Sequence, residues 1–127
     1  MMTALWLVVV SALGAGAQPP GKTSNMTDAA LGKRLYEARC QACHGADGKG
    51  SAAFAKDVGA YSPDSLDLTK PRVQELDDAA LARRIEAGHG KMKGFHGKLS
   101  SKELAQIAAY LRLIGRARAG GAARAGR

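Results

Sequence analysis

The sequence predicts a single all-α domain, and three observations support this fold class. Apolar residues recur at helical spacing in three stretches, and each stretch carries helix-end signals. No stretch shows the period-two alternation of β-branched and aromatic residues that marks a half-buried strand. The 127 residues suit one domain and leave no room for a second sizeable core.

Residues 1–17 precede the predicted domain and have the pattern of an export signal. The block Ala4–Leu13 is almost wholly apolar, and Ala15-Gly16-Ala17 resembles a cleavage site. The block is shorter than the roughly 20 residues of a membrane span. No Lys or Arg precedes it, which leaves an uncleaved anchor or a cytosolic helix as alternatives. We expect cleavage after Ala17, a bacterial periplasmic location, and a linker over residues 18–27.

The first two predicted helices are defined by their end signals. The first runs from about Asp28 to Arg39, with Asn25 or Thr27 as its N-cap. Its apolar stripe consists of Leu31, Leu35 and Ala38. The second runs from about Asp77, an Asp cap, to Ala87, and it ends at Gly88. Its buried residues are Leu81 and Ile85.

The third predicted helix has the clearest start. Ser100 and Glu103 have the spacing of a capping box. The apolar face that follows consists of Leu104, Ile107, Ala108, Leu111 and Ile114. Gly115 occupies the position of a glycine that ends a helix. Residues 116–127 hold 4 Arg, 3 Gly and 5 Ala but no large apolar residue, so we expect a basic flexible tail.

The positive charge is concentrated at this tail. The chain has 19 Lys and Arg against 11 Asp and Glu, a net charge of +8. Residues 28–115 hold 14 basic and 11 acidic side chains, a net of only +3. A nucleic-acid-binding face is therefore not indicated. The tail is either simply solvated or able to contact an acidic partner or an anionic membrane surface.

The predicted loops and the small number of aromatic residues indicate that another group completes the core. The chain has 1 Trp, 3 Tyr and 2 Phe. The loops 45–76 and 88–99 are long, and long loops are uncommon in a compact domain unless they have a function. We therefore expect these loops to wrap around a bound group.

The motif Cys40-Gln41-Ala42-Cys43-His44 identifies that group. C-x-x-C-H is the attachment signature of c-type haem, in which two thiols form thioethers and the His ligates the iron. Three alternatives are a thioredoxin-like redox pair, a plain disulfide, and a zinc site completed by His89 or His96. The redox pair requires strands that the sequence lacks, and a disulfide between such close cysteines would stabilise little.

Around this motif, residues 28–115 resemble a class I c-type cytochrome. Gly32, Tyr36 and Cys40 match the family's first helix, and Tyr110-Leu111-Arg112 matches the helix that crosses it. Further similar segments are the run Gly45–Gly50, the loop Ile85–Phe95, and more weakly Leu66-Asp67-Leu68-Thr69. The resemblance implies the cytochrome c fold, with about three main helices and loops around one haem.

The resemblance also implies the site residues. Cys40 and Cys43 would hold the haem covalently, with His44 as proximal ligand and Met92 as distal ligand. Met92 as ordinary packing, and His89 or His96 as the distal ligand, are the alternatives. Lys93 stands where the family usually has Pro after the ligand Met, which implies a more mobile loop. In the family a carbonyl at a proline orients the proximal His, but Pro63 lies nineteen residues after His44, so that acceptor is left unassigned.

An iron with two protein ligands has no open position, so the implied function is one-electron transfer, not catalysis. We expect an exported monomeric carrier whose partners are a dehydrogenase, a membrane complex or a terminal oxidase. Two alternatives are an electron-accepting subunit of one dehydrogenase, tethered by the Arg tail, and a haem that binds a small molecule through a labile sixth ligand. Lys91, Lys93 and Lys98 flank the ligand loop, where they serve either docking to an acidic partner or solubility.

Overall fold

The structure, a computed structural model, describes residues 22–59 and 61–126. Six helices follow in order: α1 (Lys22–Arg39), α2 (Gln41–His44), α3 (Ala52–Val58), α4 (Pro71–Gln74), α5 (Asp78–Ala87) and α6 (Ser101–Ala125). A 3₁₀ turn at Pro63–Leu66 precedes α4, and strands β1 (Gly88–His89) and β2 (Met92–Lys93) follow α5 as an antiparallel pair. The all-α prediction is confirmed. The predicted export signal and residues 18–21 of the predicted linker lie outside the described residues.

Helices α1 and α6 cross closely at Gly32. A Cβ atom on Gly32 would lie 1.8 Å from the carbonyl oxygen of Gln106, so a glycine is required for this approach. One turn later Tyr36 is fully buried, and its ring centroid lies 5.2 Å from that of Tyr110 on α6. This crossing forms one side of the core.

The predicted stripe of α1 is partly wrong. Leu31 is 38% exposed and Ala38 is also exposed, whereas Leu35 packs against the core. The face toward α6 instead carries Ala29, Gly32 and Tyr36, all buried. The reason is steric, because the small residues Ala29 and Gly32 permit the closest approach of the two backbones, and Tyr36 packs against Tyr110 one turn later.

The predicted starts of α5 and α6 are confirmed. The Asp77 side chain accepts a hydrogen bond from the Ala80 amide at 2.6 Å, and Gly88 ends α5 with φ of 85°. Ser100 and Glu103 form the predicted capping box. The predicted apolar positions of both helices join the main core: Leu81, Ile85, Leu104, Ile107, Ala108 and Leu111, with Ile114 at its edge.

Two predicted helix ends are wrong. Helix α1 begins at Lys22, so Asn25 and Thr27 lie inside it and residues 22–27 of the predicted linker are helical. Helix α6 passes through Gly115 and continues to Ala125, so residues 116–125 of the predicted tail are helical. Ala and Arg are strong helix formers, which favours this continuation. Gly115 instead leaves room for the side chain of Gln74, because a Cβ atom there would lie 2.2 Å from the side-chain oxygen of Gln74.

The extension of α6 is also tied to the loop before α4. Arg118 forms an ion pair with Asp67 at 2.6 Å and donates a hydrogen bond to the Thr69 hydroxyl. Burial alone would raise the pKa of Asp67, but hydrogen bonds from Thr69 and Arg118 outweigh it and leave the pKa below its ordinary value. The last turns of α6 therefore contact the domain through polar groups.

Candidate functional site

A largely apolar cavity of about 480 Å³ lies between α2, the 3₁₀ turn and the β1–β2 hairpin. All four residues predicted to bind the cofactor are on its wall: Cys40, Cys43, His44 and Met92. Its apolar lining includes Leu66, Leu68, Val73 and Phe95. The structure therefore brings the predicted site residues together around one space.

His44 is held by a backbone carbonyl that the sequence did not reveal. Its Nδ1 donates a hydrogen bond of 2.8 Å to the carbonyl oxygen of Leu66, and the lone pair of Nε2 is then free to bind a metal ion. Burial lowers the pKa of His44, although the bond to Leu66 acts in the opposite direction. Leu66 ends the 3₁₀ turn that Pro63 begins, so Pro63 was the signal available in the sequence.

Cys40 lies immediately before α2 and Cys43 lies within it, and both are free and half-buried. Burial raises the pKa of Cys40 to about 11, and the neighbouring Cys43 contributes to the shift. The Tyr36 hydroxyl donates a hydrogen bond of 2.6 Å to the Gly45 carbonyl, just after the motif. The Cys40 amide donates to the Tyr36 carbonyl at 2.8 Å. Tyr36 thus fixes both ends of the motif on α1.

Met92 reaches the cavity from the β1–β2 hairpin. His89 pairs with Met92, and Gly88 pairs with Lys93. The Phe95 amide donates a hydrogen bond of 3.1 Å to the Ile85 carbonyl, which closes the loop onto the end of α5. This pairing restrains the loop at the position where the family usually has proline.

The two histidines considered as alternative distal ligands occupy different places. His89 lines the cavity together with Met92. His96 is highly exposed, and its Nδ1 lies 3.3 Å from a carboxylate oxygen of Glu86. His89 is therefore the histidine alternative that the geometry supports.

Basic side chains surround the cavity. Lys91 and Lys93 are on its wall as expected, whereas Lys98 is not. The cavity is also lined by three arginines that were not predicted from the sequence: Arg39, Arg72 and Arg84. They come from three separate helices, so no local charge run could have indicated them. The resulting basic rim, consisting of these three arginines with Lys91 and Lys93, favours anionic groups.

The donor set of the cavity fits a covalently held haem. Two free thiols, an imidazole with an available Nε2 and a thioether sulfur surround one apolar space. In residues 22–59 and 61–126, no three His, Cys, Asp or Glu side chains are grouped closely enough to hold a metal ion, so the zinc alternative lacks a ligand set there. Within the same ranges, no helix has both the length and the hydropathy needed to cross a membrane.

Comparisons with known proteins agree with this geometry. A family model described as cytochrome c oxidase, cbb3-type, subunit III matches residues 27–111. Cytochrome c6 of Chlorolobion braunii is 32% identical over 66% of this chain and 88% of its own length. Cytochrome c6 of Limnospira maxima is 33% identical over 66% of this chain and 90% of its own length. The cbb3-type cytochrome c oxidase subunit FixP of Bradyrhizobium diazoefficiens is 34% identical over 69% of this chain and 28% of its own length. The chain therefore belongs to the class I c-type cytochromes and is an electron-carrying monohaem protein with covalently bound haem c.

Proposed function

We propose that this cytochrome carries single electrons through a haem held by Cys40 and Cys43, with His44 and Met92 as the two iron ligands. The observation that carries the proposal is the position of all four side chains on the wall of one cavity. The hydrogen bond from His44 Nδ1 to the Leu66 carbonyl supports the role of His44, because it leaves Nε2 as the donor to iron.

The bound haem supplies one-electron chemistry at its iron. The protein residues bind the iron, keep water out of the cavity and hold Met92 in place. With the Met92 thioether and the His44 imidazole both holding the iron, no position would remain for a substrate, which favours a carrier over an enzyme. Leu68, Val73 and Phe95 exclude water from the cavity, which lowers the local dielectric and so tunes the potential. The β1–β2 pairing holds Met92 in place and disfavours the alternative of a labile sixth ligand.

The assignment of Met92 is tested by comparing Met92→Ala with His89→Ala in the holoprotein. Both residues line the cavity and face each other across the hairpin, so His89→Ala is a matched control. We expect Met92→Ala to keep the haem attached, to lose the long-wavelength sulfur-to-iron band of the ferric protein, and to lower the reduction potential. His89→Ala should keep the band and the potential. Persistence of the band in Met92→Ala, or its loss in His89→Ala alone, contradicts the assignment.

The proposal includes export, with residues 1–17 removed and residues 28–115 forming the haem domain in the periplasm. It rests on the apolar block and the cleavage pattern of residues 1–17. Mass spectrometry of the coloured protein from a periplasmic extract should give a chain that begins at Gln18. A full-length chain retained in the membrane fraction would instead identify an uncleaved anchor.

The proposed partners are redox proteins that present an acidic surface: a dehydrogenase, a membrane complex or a terminal oxidase. The basic rim of the cavity supports this choice, and the similarity to part of FixP, an oxidase subunit, supports an oxidase among them. Oxidation of the reduced holoprotein by ferricyanide, an anion, should slow as salt is added and should slow further in Lys91→Glu. A rate that is independent of salt would remove the support that the rim gives.

A further inference from the structure

The buried carboxylate of Asp67 is the centre of a polar cluster on one side of the haem cavity. Asp67 is only 5% exposed. Its Oδ1 accepts hydrogen bonds from the Thr69 amide at 2.8 Å and from the Thr69 hydroxyl at 2.6 Å. Its Oδ2 lies 2.6 Å from Nη1 of Arg118. The cluster therefore satisfies a buried charge with donors from its own loop and from α6.

This cluster is adjacent in the chain to the group that orients His44. Leu66 directly precedes Asp67, and its carbonyl accepts the hydrogen bond from His44 Nδ1. The Leu68 amide donates to the Gly48 carbonyl at 2.7 Å, which joins the same segment to the loop after the motif. A shift of Asp67 therefore moves the acceptor of His44, because the two residues share one peptide bond.

Arg118 links this segment to the extension of α6. The family match covers residues 27–111, so Arg118 lies beyond it. The guanidinium reaches both Asp67 and Thr69, which fixes two points of the short segment Leu66–Thr69 against a long helix. A charge-assisted contact of this kind is directional, and its loss leaves a buried carboxylate short of a donor.

We propose that Arg118 is a positioning residue for the proximal ligand: through Asp67 and Thr69 it fixes the Leu66 carbonyl, and that carbonyl fixes the imidazole of His44. The inference rests on the proposed function, in which His44 ligates the iron. It assigns the last turns of α6 a role at the haem site.

The test measures hydrogen exchange of the His44 Nδ1 proton by NMR in the ferric holoprotein labelled with ¹⁵N-histidine. The variant is Arg118→Met, and the matched control is Arg116→Met, which removes the same charge from an exposed position on the same helix. Because Arg118 is 38% exposed, its contact is partly screened, and we expect exchange to become about threefold to tenfold faster. Arg116→Met should leave the exchange rate unchanged.

A third variant separates positioning from general destabilisation. Arg112→Met removes contacts of α6 with the Gln74 and Leu76 carbonyls without touching Asp67. If exchange of the His44 proton accelerates equally in Arg112→Met and Arg118→Met, the effect is global opening and the proposal is overturned. An unchanged exchange rate in Arg118→Met also overturns it. If the His44 ring in the wild-type holoprotein lacks hyperfine-shifted signals, His44 is not the ligand, and the proposed function fails together with the inference.

Discussion

Replacement of Gly32 by alanine tests whether the α1–α6 crossing sets the stability of the domain. The added Cβ would lie 1.8 Å from the Gln106 carbonyl oxygen, whereas such contacts need at least 3.0 Å, so the two backbones must separate by more than an ångström. Neither atom can rotate away, because the obstacle is a backbone group inside α6. Overpacking of this kind costs about 3 kcal/mol, at the upper end of its usual range. The higher helix propensity of Ala than of Gly offsets about 1 kcal/mol of this cost, so the free energy of unfolding should fall by about 2 kcal/mol.

The assay is guanidinium unfolding of the holoprotein, followed by circular dichroism. Gly120→Ala is the matched control, because Gly120 is also inside a helix but its Cβ would meet no atom within 4 Å. The control should gain about 0.5–1 kcal/mol from propensity alone. If Gly32→Ala gained stability as Gly120→Ala does, the close approach of α1 and α6 would not be real, and the explanation for the buried face of α1 would fail.

Two further predictions concern buried charges. Arg112 is 18% exposed and donates hydrogen bonds to the Gln74 and Leu76 carbonyls. Arg112→Met should therefore lower the free energy of unfolding by about 2 kcal/mol. The exposed control Arg116→Met should stay within about 0.5 kcal/mol of wild type. Asp67 has a lowered pKa, so its charge stabilises the fold above its ordinary pKa of about 3.9, and this stabilisation is lost as the pH falls through the lower folded value. The stability difference between wild type and Asp67→Asn should therefore shrink below about pH 4, and a difference that grows there would reverse the sign of this argument.

The sequence predicted the features that depend on neighbouring residues. The Asp77 cap, the capping box of Ser100 with Glu103, and the end of α5 at Gly88 are local hydrogen-bonding or backbone effects, and the structure has all three. The spacing of Cys40, Cys43 and His44 indicated the haem in the same way. A few consecutive residues contain all the information that such motifs need.

The tertiary structure decided what depends on contacts between distant segments. Two faces of α1 satisfy helical spacing, and only the approach of α6 at Gly32 selects the one that is buried. Gly115 has the local signals of a helix end, yet α6 continues past it. The continued helix carries Arg118, which forms an ion pair with Asp67. The acceptor for His44 is a main-chain carbonyl 22 residues away, and Pro63 marks the turn that carries it without showing that the turn lies against His44. Local chemistry is therefore readable from the chain, whereas a contact between remote backbones is fixed only when the helices pack.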